Sequence, residues 1–369
     1  MQYVLDVSCL DSYSSGAKQR FLSLYSELVK NSKKKNFLII YTSFDNIKDY
    51  FNYPNVAFKK NNFNQDNYFK KIISVIYVFF FILVNSKKIK AVEYFTLPFF
   101  SIINCKSVFT IHDLRRIYFS KIFYKRIFYK IFFKFFLNKA SKIIVVSEGI
   151  KNELLRYFNN LKVKVIYNTI DPKLFSKITK KQIKTIKKKY NLPSKFLITV
   201  GHQEKRKNYL RLIKAIKILK YNDRNISLII IGQKADETEN IQKLINHLKL
   251  NSNIKIFSNL NDFEVRCFYK LADVFVFPSV YEGFGIPILE SMAANIPMAI
   301  SNTEVFREIT LGQSIYFDPF DPLSIATKIK YVSSDKYLKQ KLVNFGKKRI
   351  KTFTLDVQKK SIINFYRDL

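Results

Sequence analysis

Short, almost continuously apolar runs recur along the chain. YVLDVS, FLIIYT, AVEYF, SVFTIHD, KIIVVS and KVIYN occupy the first half; FLITVG, SLIIIG, NIKIFS, VFVFP and PMAIS follow in the second. Runs without polar alternation predict strands buried on both faces, and the helical segments between most of them predict parallel sheets covered on both sides. Between the two series lies SKITKKQIKTIKKKYNLPS, residues 176–194, basic and poor in core residues. The pattern predicts an α/β protein of two doubly wound parallel-sheet units: residues 1–175, a basic linker at 176–194, residues 195–350, and a C-terminal helix over 351–369 packing back toward the first unit. In open sheets of this kind ligands bind beyond the carboxyl ends of the strands, so the loops after the strands are where chemistry is expected.

Length and composition agree with two domains. The chain has 369 residues, 48% hydrophobic and 25% charged, which is globular and not disordered. Its net charge of +36 is uneven: residues 1–190 carry 36 basic and 11 acidic side chains, against 28 and 17 in the remainder. A polyanion or an anionic surface is therefore a partner to consider, and a bias in genome composition is the competing explanation. A single-stranded nucleic-acid binder would use such lysines and aromatics, but no recognition motif accompanies them. Cys9, Cys105 and Cys267 are odd in number and far apart, so neither a disulfide framework nor a zinc site is expected, and a reducing cytoplasm is the simple reading. The N-terminal MQYVLDVSCLDSY lacks the basic start and apolar core of a signal peptide. IISVIYVFFFILV, residues 72–84, is the longest apolar run, and its 13 residues fall short of the roughly 20 a spanning helix needs. It reads as a buried or interfacial helix.

Two loops of the second unit stand out. After VFVFP comes PSVYEGFGIPILESMAA, residues 278–294, in which Gly283 and Gly285 permit close backbone approach and Pro287 suits the start of a helix. A helix N-terminus just beyond two glycines invites an anion or sugar hydroxyls. Glu282 is placed in the loop and Glu290 in the first helical turn, where an acid–base pair, or a turn with a dipole-stabilising Glu, are alternatives. After FLITVG comes GHQEKRKNYLRLIKAI, residues 201–216, which sets Arg206 and Lys207 at the entrance of a helix, a pair suited to a diphosphate or to plain solvation.

Taken together, these segments resemble the retaining nucleotide-sugar glycosyltransferases of the GT-B fold, family 4, whose two Rossmann-like domains face across a cleft. The family's Glu, seven residues, Glu pattern stands here as PSVYEGFGIPILESMAA; RKN at 206–208, KIFSNLND, VFREI with SIYFDPFDP, and in the first half TIHDL, IIVVSE and VIYNTIDPKLF extend the likeness over nearly the whole chain. Asn295, Thr169 and the Phe353–Thr354 pair depart from it at packing or turn positions. The resemblance implies that Glu290 binds the nucleotide ribose. Glu282 and backbone groups at Gly283, Phe284 and Gly285 would hold hydroxyls of the transferred sugar. Lys207 and Arg206 would meet the departing diphosphate, which the backbone of Gly16 also approaches. His112 would stand at the reacting sugar, and the base near Leu260. It further implies transfer of a hexose with retention, from a nucleotide-diphosphate sugar to a lipid-linked glycan acceptor, as in mannosyl- and rhamnosyltransferases of lipopolysaccharide or surface polysaccharide assembly. A transferase-like scaffold without turnover is the remaining alternative. No Asp-x-Asp motif occurs and His112, His202 and His247 have no ligand spacing, so neither a metal nor another cofactor is expected.

IFYKRIFYKIFFKFFLNK, residues 122–139, carries five basic residues and no acid. On a helical period Tyr124, Phe128, Ile131 and Phe135 form one stripe, expected to dock on the sheet, and Arg126, Lys130 and Lys134 the opposite one, with Tyr129, Phe133 and Leu137 among the bases. Five charges rule out spanning, and an in-plane contact with an anionic membrane surface is expected, which would place the protein peripherally on the inner face of the plasma membrane.

Overall fold

The structure, a computed structural model, describes residues 1–10, 16–44, 46–63, 68–95, 105–118 and 123–369. The chain divides into a first unit, Met1–Thr169 with Leu355–Leu369, and a second, Ile170–Thr354. The first holds seven parallel strands: β1 (Gln2–Asp6), β2 (Asn36–Tyr41), β3 (Val56–Lys60), β4 (Ile89–Tyr94), β5 (Lys106–Ile111), β6 (Lys142–Val145) and β7 (Val163–Val165), in the spatial order β3-β2-β1-β4-β5-β6-β7. The second holds β8 (Leu197–Val200), β9 (Leu228–Ile231), β10 (Ile254–Phe257), β11 (Val274–Phe277), β12 (Met298–Ser301) and β13 (Ile315–Phe317), also parallel, ordered β10-β9-β8-β11-β12-β13. Strands β3 and β13 are absent from the apolar pattern. Both are sheet edges, so neither needs the fully apolar sequence of a central strand.

One face of the first sheet packs on a helical segment running from Gly16 to Asn31 and on the C-terminal helix Leu355–Arg367, with Tyr3, Leu5, Phe37 and Ile39 meeting Phe21, Leu24, Leu28, Ile362 and Tyr366. Inside this layer the Glu93 carboxylate is fully buried and accepts hydrogen bonds from the hydroxyls of Tyr25, Thr110 and Tyr366. Burial pushes its pKa up, and the three donors pull it back. Three lysines close the end of the C-terminal helix: Lys35 donates to the Tyr366 carbonyl, Lys142 to that of Asp368 and Lys106 to that of Leu369. These are carbonyls a helix end leaves unpaired, at the pole of its dipole that favours cations.

Residues 176–194 are not a linker but part of the second unit. Thr179 and Gln182 form a reciprocal cap that starts the helix Lys180–Lys189. Just beyond, Tyr190 stacks edge-on against Phe257 and Phe268, and its hydroxyl joins Lys189 on Glu264 at 2.6 and 2.7 Å. The basic face is solvated while Ile186 and Tyr190 supply the anchor, a short apolar stripe that a lysine-rich composition hides.

The helix over 122–139 begins at Phe123 and faces the other way from the expected docking. Phe133, Phe136 and Leu137 are buried, whereas Tyr124, Phe128, Ile131 and Phe135 are exposed beside Lys130 and Lys134. Phe133 stacks on Phe158 and fixes the inward face. Ile122 and the side chain of Arg126 lie outside the described residues. Replacing Tyr366 by Phe deletes one donor to the buried Glu93. It is expected to lower the stability of the first unit by about 1–3 kcal/mol in a urea titration, with the second unit's transition unchanged.

Candidate functional site

In the second sheet, connections leave β8 and β11 in opposite directions, which makes the ends of these adjacent strands the topological switch point. The loops after both strands are stitched together. Asn208, in the left-handed conformation at φ 60°, donates to the carbonyls of Pro278 at 3.0 Å and Pro319 at 2.6 Å, and the Val280 amide donates to the Arg206 carbonyl at 2.9 Å. Asn pays a smaller steric penalty than most residues at such a φ, and its side chain supplies the tie.

The stitching brings Lys207, Arg206 and Glu282 together. Glu282 Oε1 accepts from Lys207 Nζ at 2.6 Å and from the Ser279 hydroxyl at 2.7 Å; its Oε2 meets Arg206 Nη1 at 2.7 Å. Arg206 Nε in turn donates to Glu204 at 2.6 Å. Lys207 is buried, with its ammonium 4.9 Å above the centre of the Phe277 ring and its stem pressed against Gly201, where a Cβ would stand 2.8 Å from Lys207 Cε. Burial alone would raise the Glu282 pKa, but Lys207, Arg206 and the hydrogen bonds overcome it and hold the carboxylate at about 2. Burial draws the Lys207 pKa down, opposed by Glu282. Two cations thus sit preformed at a strand end, neutralised by carboxylates that an incoming anion could displace.

Gly285 takes φ 99° and caps the helix Ile286–Ala294; a Cβ there would lie 3.2 Å from Phe306 and 3.3 Å from Ile288. Pro287 occupies the first turn as expected. The Phe284 side chain is buried against Phe353, so only its backbone is available to a ligand. Gly283 is buried beside it. Glu290 is the fifth residue of this helix, in the second turn and not the first, because the helix starts at Ile286. It is therefore past the reach of the helix N-terminal charge, and its role cannot be dipole compensation. It accepts a 2.8 Å hydrogen bond from Tyr269, and burial, reinforced by Asp262, raises its pKa to about 7 against the pull of that bond.

Leu260 lies half-buried in the loop after β10, two strands from β8. Gly16 and His112 belong to the first unit, where Gly16 opens the helical segment after β1 and His112 follows β5. Burial, with Arg20 and Arg115 adding like charge, lowers the His112 pKa to about 3, so the imidazole is neutral near pH 7. Its buried Nε2 has no hydrogen-bond partner among the described residues. Ser279 and Tyr269 do not figure among the sequence-derived candidates, although each donates to one of the two glutamates. Ser279 stands inside the PSVYEGFG motif, three residues before Glu282. Tyr269 is 21 positions before Glu290, with nothing local to link them.

Comparison with known proteins gives two family-model matches: Glycosyltransferase Family 4 over residues 89–174 and Glycosyl transferases group 1 over residues 181–349. The O-antigen chain mannosyltransferase RfbU of Salmonella typhimurium is 26% identical over 250 residues, covering 67% of this chain and 65% of that protein. The chain spans just under two thirds of the length of the curated relatives it matches first. Among solved structures, Anabaena HepE in complex with UDP and glucose superposes with a TM-score of 0.79 at 15% identity, over the whole of both chains. WaaG, a glycosyltransferase involved in lipopolysaccharide biosynthesis, does so with 0.77 at 15% identity, over 98% of this chain and 99% of that one. The two parallel-sheet units have the GT-B fold these neighbours share.

Gly201→Ala sets a Cβ 2.8 Å from Lys207 Cε and strains a backbone at φ 153°, so it is expected to destabilise the second unit while pushing the ammonium away from Glu282. Carboxyl NMR should then find Glu282 titrating clearly above about 2, and Ser279→Ala should shift it in the same direction by less. An unchanged titration in both variants would mean that these contacts do not hold the carboxylate.

Proposed function

We propose that this chain, a member of the GT-B glycosyltransferases of group 1 and family 4, transfers a hexose from a nucleotide-diphosphate sugar to a glycan acceptor in surface polysaccharide or lipopolysaccharide synthesis. The observation that carries the proposal is the Lys207–Glu282–Arg206 cluster at the switch point of the second sheet, one short loop away from the helix that Gly285 caps. Relatives named as O-antigen mannosyltransferases favour a hexose and a lipid-linked acceptor, and a neighbour solved with UDP and glucose favours a nucleotide-sugar donor.

In this reading the diphosphate binds at Lys207 and Arg206 in place of Glu282. Released from one or both cations, Glu282 turns its carboxylate to hydroxyls of the transferred sugar, helped by backbone groups at Gly283, Phe284 and Gly285. Glu290 keeps Tyr269 on one oxygen and offers the other to the ribose. The family resemblance further assigns Gly16 to the phosphate, the neutral His112 to the sugar and Leu260 to the base.

The anomeric C–O bond breaks with its electron pair leaving on the diphosphate oxygen. The acceptor hydroxyl oxygen forms the new bond on the face that oxygen vacates, and its proton passes to the departing phosphate, so configuration is retained. Negative charge grows on the leaving group as the bond breaks. Fixed cations there stabilise the transition state more than the ground state, and they supply without a metal the charge that a metal would. A lipid-linked acceptor would bring the protein to the inner face of the plasma membrane, with residues 122–139 as one contact. Their outward stripe is greasier than the sequence pattern predicts, since the aromatic side faces solvent.

Lys207→Ala and Glu282→Ala should each cut kcat for transfer on the order of a hundredfold while the protein stays folded; full activity in either would sink the site assignment. The Glu290 pKa of about 7 gives a separate test. The carboxylate is the better acceptor for ribose hydroxyls, so donor KM should rise as pH falls through about 7, and the rise should vanish in Glu290→Gln. A donor KM independent of pH in the wild type would remove Glu290 from the ribose.

A further inference from the structure

The helix Tyr68–Val84 contains the run IISVIYVFFFILV and is neither a core helix nor long enough to span a bilayer. Ser74, Val78 and Ile82, four residues apart, are its buried stripe. On the opposite side Phe69 (70% exposed), Ile76 (36%), Phe80 (56%) and Leu83 (43%) follow one another at helical spacing, with Val84 (81%) beside them. Tyr77, Phe80, Phe81 and Val84, with Asn85, line a shallow apolar depression next to that stripe. The helix Phe123–Asn138 shows the same outward stripe in Tyr124 (66%), Ile131 (65%), Phe128 (51%) and Phe135 (47%).

Topology puts the two stripes on one side of the first unit. The connections from β3 to β4 and from β5 to β6 cross the sheet in the same direction, and right-handed crossovers therefore lay both helices on the same face. The connections from β1 to β2 and from β2 to β3 run the opposite way. They set the segment from Gly16 to Asn31 on the other face, where it packs with the C-terminal helix. The charge around the two stripes has one sign. No acidic residue occurs between Asp66 and Glu93, or between Asp113 and Glu148, while Lys70 and Lys71 lie in the first turn of the first helix, Lys87 and Lys88 follow its end, and Lys130 and Lys134 stud the second, all exposed.

We infer that these two helices form one lipid-docking face, whose partner is an anionic bilayer. This deepens the reading of residues 122–139 given above by adding a second helix and a common plane. Two parallel contacts fix the orientation of the unit on a membrane, where a single helix would let it roll. A second copy of the chain is the poorer occupant: a symmetric pairing through this face sets lysines against lysines with no acid in either segment to receive them. A leaflet of anionic lipid supplies the opposite charge and accepts the aromatic side chains.

The test uses the full chain and sedimentation with vesicles of phosphatidylcholine, with and without phosphatidylglycerol. The wild type should bind only the anionic vesicles. Phe69→Ser with Phe80→Ser, and separately Ile131→Ser with Phe135→Ser, should each weaken that binding by about tenfold or more, the side chains being exposed and the fold unaffected. Binding indifferent to lipid charge would overturn the proposal. So would a first pair that binds like the wild type, which would leave a one-helix contact. A lipid-free dimer that the Phe69/Phe80 pair converts to monomer would make the occupant a second copy and overturn it too. Donor hydrolysis without lipid should proceed at the wild-type rate in both pairs. Its absence from the wild type would count against the catalytic reading and leave the lipid result standing.

Discussion

Glu282 is a carboxylate taken out of bulk water and kept charged by two cations, and the arrangement of the second unit's loops follows from satisfying it. One oxygen needs the ammonium of Lys207 and the hydroxyl of Ser279, the other the guanidinium of Arg206. Removing any partner would leave part of a buried charge uncompensated, which costs more than the pair contributes. This requirement gives a physical reason for the features that crowd around it. Gly201 makes room for the lysine stem, and Asn208 bolts the loop after β8 to the loops after β11 and β13. Gly232 lets the backbone at Gly201 approach so closely that a Cβ would stand 1.8 Å from its carbonyl oxygen. The same balance suits a site for anions, because cations already held at a helix entrance need no reorganisation when a phosphate replaces the carboxylate.

The two glutamates of the motif are set apart by their surroundings and not by their distance along the helix. Glu282, between cations, stays ionised down to about pH 2, whereas Glu290, half-buried with a phenol and an aspartate near it, is poised at about 7. One is a permanent anion and the other responds to pH, a division of roles that desolvation and neighbouring charge produce from identical side chains. In the first unit Glu93 shows a third solution, with three hydroxyls donating to the carboxylate. One of those hydroxyls arrives from the last helix of the chain, so the C-terminus is built into the core of the unit that the N-terminus begins.

The surface of the first unit obeys a different constraint. A sheet face covered by helices needs from each only a narrow buried stripe, which Val78 and Ile82 provide for one helix and Phe133, Phe136 and Leu137 for the other. Phe69, Phe80, Tyr124, Phe128 and Phe135 are surplus to that packing and turned outward. Apolar surface in that amount carries a cost in water, which lysines on the same helices limit by solvation until something else covers it.

Much was legible in the sequence because it depends on local chemistry. The central strands announce themselves as apolar runs, their repetition implies two parallel sheets, and the order of glycines, Glu282, Pro287 and Glu290 marks the loop where a ligand can approach a helix end. What only the tertiary structure decided depends on neighbours distant in the chain. The helix over 123–138 is apolar around most of its circumference, so periodicity cannot say which side meets the sheet; Phe158 and the crossover geometry do. The basic stretch at 176–194 belongs to the second unit because Glu264, Phe257 and Phe268 receive its end, and edge strands β3 and β13 exist because a partner strand is there to pair with. Tyr269 reaches Glu290 and Ser279 reaches Glu282 for the same reason. A hydrogen-bond partner is selected by position in space, and residue spacing encodes that position only within a turn or two of helix or loop.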